Sequence, residues 1–105
     1  MNKYTELSDF EINRRIAEMD TKNRYVYFEK EQTIFRKFNN GQTQKFNPCN
    51  YPADAMPIII ENKIAMNPKN DIWQCGSGWY VAENKTPLRA CMEAFLMKKD
   101  AENNQ

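Results

Sequence analysis

The sequence predicts an α+β fold: one small domain of about three helices on an antiparallel sheet of about four short strands, with the C-terminal helix central. Three observations predict it. Apolar residues recur at helical spacing near both ends of the chain. Between them the pattern changes to short runs of aromatic and β-branched residues, and turn residues break those runs into hairpins. With 105 residues, 41% of them apolar and 28% charged, the chain can build one core but not two, so residues 1–105 form one domain.

The first helix is expected over 7–19. Ser8 and Glu11 make a capping box, Leu7 and Ile12 a hydrophobic staple, and Ile12, Ile16 and Met19 share one face. RYVYFE and TIFRKF, from Arg24 and Thr33, read as a hairpin that ends at Asn39-Asn40-Gly41. Residues 52–62 favour a short helix bent by Pro57, with Ala53, Met56, Pro57, Ile60 and Ile64 on one face. A buried strand around Ile58–Ile60 is the other reading of that segment. A strand at Lys63–Met66 and a turn at Asn67-Pro68 follow. DIWQC and WYVAE then flank Gly76-Ser77-Gly78 as a second hairpin.

The last helix, Thr86–Glu102, is the longest periodic segment. Thr86 is a good N-cap, and Pro87 suits the first helical position, where its missing N–H costs nothing. Leu88, Cys91, Met92, Phe95 and Leu96 form a broad apolar arc; Ala90, Ala94, Met97 and Ala101 form a narrower one of small residues. Arg89, Glu93 and Asp100 lie on a polar edge between them. Two arcs call for two covers, a sheet and a helix. If 8–19 does not cover the small arc, a second copy of the helix would, giving a homodimer. Residues 102–105 are expected to fray.

Several function classes find no support. No apolar run approaches the roughly 20 residues of a membrane span, and the N-terminus lacks the apolar stretch of a signal peptide. Three cysteines, Cys49, Cys75 and Cys91, leave one unpaired in any disulfide scheme, which favours reduced thiols and a cytoplasmic location. Without histidine, and with cysteines 26 and 16 residues apart, no usual metal-ligand spacing exists; no cofactor or metal is expected. QCGSGW at 74–79 resembles the nucleophile stretch of papain-like proteases, but Gly78 holds the nucleophile's place and there is no histidine base. Asp54, Glu61 and Glu93 read as structural carboxylates, either through the local Arg89–Glu93 pair or through a buried Asp54–Arg89 pair linking two helices.

Three blocks, YTELSDFEIN (4–13), FNPCNYPADAMPIIIENKIAM (46–66) and TPLRACMEAFLM (86–97), resemble the NinX-type family of small proteins from lambdoid phages and prophages. Their order and spacing agree over nearly the whole chain. Met56 stands where that family tends to have Trp, Thr86 where it tends to have Asn, and Cys91 where it tends to have Ala. The resemblance implies a phage origin and an accessory role in a bacterial host cell, and it brings no catalytic residues to carry over.

Two binding surfaces remain as candidates, and no enzyme is predicted. Trp73, Trp79, Tyr80 and Met97 exceed what the core needs and suit contact with a host or phage protein. The alternative is single-stranded nucleic acid on the hairpin 24–45, held by Arg24, Tyr27, Arg36, Lys37 and Lys45. Residues 22–46 carry six Lys/Arg against two Glu in a chain of net charge +1.

Overall fold

The structure, a computed structural model, describes residues 2–103. Along the chain run α1 (Asp9–Met19), β1 (Arg24–Phe28), β2 (Thr33–Lys37), β3 (Thr43–Lys45), α2 (Pro52–Glu61), β4 (Ala65–Lys69), β5 (Ile72–Ser77), β6 (Tyr80–Asn84) and α3 (Pro87–Asn103). The α+β class and the central last helix are as the sequence predicts. The strands, however, form two three-stranded antiparallel sheets, β1-β2-β3 and β4-β5-β6, in place of one sheet of four. One strand, β3, was not expected, and the strand expected at Lys63–Met66 is displaced to Ala65–Lys69. β3 reads TQK and is exposed throughout, so no apolar alternation marks it. β4 runs straight through Asn67-Pro68, where a turn was expected; it is an edge strand, the position at which a sheet tolerates proline. The turn comes at Asn70-Asp71, with Asn70 in the left-handed region at φ 57°.

The capping box of α1 is formed as written. Ser8 Oγ accepts from the Glu11 N–H at 3.1 Å, and Glu11 Oε1 accepts from the Ser8 N–H at 3.2 Å. Ile12 and Ile16 are buried, but Met19, at the last turn, is exposed. The helical reading of 52–62 is the correct one, with Pro57 inside α2. Its buried face is not the expected one: Asp54, Ala55 and Ile59 are buried, while Ala53, Met56, Pro57 and Ile60 are exposed. Both arcs are apolar, so periodicity could not choose between them. Lys63 at φ 53° closes the helix, and Ile64 N–H returns to Ile59 O at 3.0 Å, which drops the Ile64 side chain into the core. At α3, Pro87 opens the helix, but Thr86 does not cap it as expected. Its hydroxyl hydrogen-bonds Asn84 Oδ1 at 3.1 Å, and among the described residues no first-turn N–H reaches it. Of the residues expected to fray, 102 and 103 are helical and 104 and 105 lie outside the described residues.

Every residue of α3 from Arg89 to Leu96 is buried. The β4-β5-β6 sheet packs along this helix, and α1 and α2 pack against it as well. Ala90 and Ala94 are almost fully buried, so this half of the small-residue arc is covered within the chain, while Met97 and Ala101 are half-buried. All three cysteines are buried free thiols, and the Cys75 thiol of β5 donates to the Pro87 carbonyl at the start of α3 at 3.7 Å.

The polar edge expected on α3 is the largest correction. Arg89 and Glu93 are buried. Arg89 Nε donates to Glu93 Oε2 at 2.6 Å and Nη1 to Asp9 Oδ1 at 2.7 Å. Nη2 donates to the carbonyls of Tyr4 and Leu7 at 2.9 and 2.7 Å. The second Glu93 oxygen accepts from Asn2 Nδ2 at 3.1 Å. One guanidinium thus ties the N-terminal strap and the start of α1 to the central helix. The proposed Asp54–Arg89 pair does not form; Asp54 instead accepts the Asn47 N–H at 2.9 Å.

After α1 the chain turns around a single carboxylate. Asp20 accepts N–H bonds from Lys22 at 2.9 Å and from Asn23 at 3.2 Å. It also accepts from the Asn23 amide at 2.8 Å and the Tyr25 hydroxyl at 2.5 Å. Burial pushes its pKa up, but these four donors outweigh burial and hold the carboxyl at about 2. A depressed folded-state pKa contributes stability above the ordinary value of 3.8, and this is lost as pH falls toward about 2. Thermal melts across that window should therefore show a steeper loss for the wild type than for Asp20→Asn. Equal slopes would contradict the assignment.

Candidate functional site

The β5–β6 hairpin closes on the pair Ser77–Tyr80, leaving a two-residue turn of Gly78 and Trp79. Gly78 takes φ 61°, a conformation that disfavours a side chain and suits this short turn. Pairing register decides which aromatics are available. Cys75 and Ala82 face each other across the strands and are buried. Trp73 and Tyr80 have the same parity and so lie on the same side; Trp73 packs on the core and Tyr80 is half-buried. Met97 is half-buried against the core on α3. Of the four residues expected at a protein interface, only Trp79 is freely presented, at 93% exposure.

The opposite face of this sheet is low and largely polar. A Cβ at Gly76 would lie 2.3 Å from the Tyr80 carbonyl oxygen, so β6 approaches too closely for any side chain there. Beside Gly76 stands Val81, 40% exposed. Farther along, Glu83 accepts from Lys69 at 3.3 Å and from Gln74 at 3.1 Å. The indole of Trp79 stands at the tip of this hairpin.

The basic hairpin sorts its residues in the same way. Arg24 pairs with Lys37, Val26 with Phe35 and Phe28 with Thr33, and Phe35 and Lys37 pair in turn with Lys45 and Thr43. These residues share one face. The other face carries Tyr25, Tyr27, Ile34 and Arg36, and Ile34 is buried. The structure therefore brings Arg24, Lys37 and Lys45 together, while Tyr27 and Arg36 lie on the opposite, core-facing side. The aromatic neighbours of the three cations are Phe28 and Phe35, whose rings meet edge to face at 5.8 Å; Phe28 is 43% exposed. Ile34 was the available signal, because an inward Ile34 turns Phe35 outward and Arg36 inward.

Sequence reasoning also missed an apolar surface on α2. Met56 and Ile60 sit one turn apart, and Ile60 is 69% exposed. Among the described residues no three His, Cys, Asp or Glu side chains gather as a metal site would require. Nor is any helix there long and apolar enough to cross a membrane.

No curated protein and no solved structure matches this chain. The family model described as "Bacteriophage P22, NinX" matches residues 3–99, which take in α1, α2, both sheets and most of α3. The three blocks singled out in the sequence all fall inside that match, and the chain belongs to the NinX family of bacteriophage proteins.

Proposed function

We propose that this phage accessory protein works in the host cytoplasm by binding a host or phage protein, not by catalysis, with Trp79 as the anchor of the contact. The observation that carries this reading is the 93% exposure of Trp79 at the tip of the β5–β6 hairpin. Indole is costly to leave in water, and the paired strands on either side of a two-residue turn limit the backbone freedom that binding would cost. Such a side chain fits an apolar pocket on a partner, where buried Trp residues supply much of the binding energy. The Lys69–Glu83 pair and Gln74 on the adjoining face would form the polar rim. Affinity capture from infected host cells with the wild type and with Trp79→Ala, compared quantitatively, tests it. One protein should be retained by the wild type and depleted with the variant, while both proteins melt at the same temperature. Identical retention profiles would overturn the reading.

A second reading is favoured by the shared face of Arg24, Lys37 and Lys45 beside Phe28 and Phe35. Cations flanking exposed rings suit single-stranded nucleic acid, whose bases stack while phosphates are neutralised. Fluorescence anisotropy with a labelled oligothymidine at low salt checks it. Binding by that face requires that Lys37→Glu with Lys45→Glu weaken affinity about tenfold or more. An unchanged affinity, or no binding at about micromolar protein, removes this reading.

A further inference from the structure

Between the end of α1, α2 and the C-terminal half of α3 lies an open groove of about 680 Å³. Its floor is apolar, made by Ile16, Phe46 and Phe95, and it lies apart from both Trp79 and the outer face of the β1-β2-β3 sheet. The volume falls within the range of small-molecule sites. One charged group in its wall is unspent. Arg36, turned to this side by the register of β2, holds its guanidinium over the rings of Phe46 and Tyr25, at 5.1 and 5.9 Å from their centroids. Its Nε is buried without a hydrogen-bond partner, and among the described residues Arg36 forms no ion pair.

The other charges facing the groove are differently placed. Asp20 is saturated by its four donors, and Asp54 accepts the Asn47 N–H. Glu61 is exposed at the rim, Lys22 is exposed in the loop after α1, and Lys99 pairs with Glu102 at 3.2 Å. A partly buried guanidinium without a counter-ion is unfavourable. Two rings beneath it compensate in part, and the Tyr25 hydroxyl oxygen lies on the same side, yet no acceptor reaches Nε. An oxyanion would supply both the charge and the acceptors, since guanidinium binds carboxylate and phosphate through paired hydrogen bonds.

We infer that this groove binds a small amphiphilic anion, a carboxylate or phosphate on a flat apolar body, with the oxyanion on Arg36 and the body on Phe46, Phe95 and Ile16. This site is additional to the Trp79 contact and does not depend on it. Naphthalene-2-carboxylate is a probe of that chemistry, naphthyl phosphate tests the other oxyanion, and the uncharged naphthalene-2-carboxamide is the matched control.

The experiment is a titration of the full-length ¹⁵N-labelled protein with each probe, followed through the backbone amides and the Arg36 Nε–H signal. At least one anion should saturate with a shift of the Arg36 Nε–H resonance, and the amide should bind about tenfold more weakly. Arg36→Met should erase that preference. Ala53→Leu, which narrows the groove from the exposed side of α2, should weaken all three probes while leaving the fold intact. Equal affinity of the wild type for the anions and the amide would overturn the inference. So would an unchanged anion affinity in Arg36→Met or Ala53→Leu, or no shift at about millimolar probe.

Discussion

Arg89→Met is expected to destabilise the protein by about 3–5 kcal/mol, a large part of the roughly 5–15 kcal/mol available to a domain. The substitution removes four donated hydrogen bonds at once and leaves Glu93, 1% exposed, without its cation. It also frees the N-terminal strap, because the carbonyls of Tyr4 and Leu7 lose the donor that fixes them to α3. Arg89→Lys should recover little. A single ammonium cannot span two carboxylates and two carbonyls that the planar fork reaches together. Pairing Arg89→Met with Glu93→Leu should restore part of the loss, since replacing a whole buried ion pair by apolar groups is far less costly than orphaning one partner. Urea melts decide the matter. A cost below about 1 kcal/mol for Arg89→Met would mean that this network does not hold the strap.

Phe95→Ala should cost about 3 kcal/mol or somewhat more, near the lower end for a buried aromatic. Phe95 is 8% exposed on the central helix, but one edge lines the open groove, so solvent can reach part of the space it vacates. Ile60→Ala on the exposed side of α2 should cost under about 0.5 kcal/mol by the same melts. Comparable losses for the two variants would contradict the placement of the core on α3.

The capping box at Ser8 and Glu11 and Pro87 at the head of α3 were legible because each is a local signal with a local cause. The turn expected at Gly76-Ser77-Gly78 falls instead at Gly78-Trp79, because Gly76 and Ser77 are paired with β6 as part of β5. The third strand of the first sheet was not legible, since Thr43–Lys45 gains its place from pairing with Phe35–Lys37 and carries no apolar residue of its own. Glu93 was misplaced for a related reason. Arg89 is its neighbour on the helix, which reads as a solvated pair, but the carbonyls of Tyr4 and Leu7 that draw Arg89 inward are about 85 residues away in sequence. The interface candidates divide along the same line. Composition could name two tryptophans; only the strand register shows that Trp73 turns inward and leaves Trp79 at the tip. Arg36 and Tyr27 left the basic set because Ile34 between them is buried.

The binding account is tested most directly by photo-crosslinking at position 79 itself. Trp79→p-benzoylphenylalanine, expressed in host cells carrying the phage, places a reactive aromatic where the indole stands. A control substitution at the exposed residue Gln42 stands in the loop between β2 and β3, on the other sheet. The account predicts one discrete adduct with a single host or phage protein from position 79 and none from position 42. No adduct from position 79, or the same adducts from both positions, would contradict it.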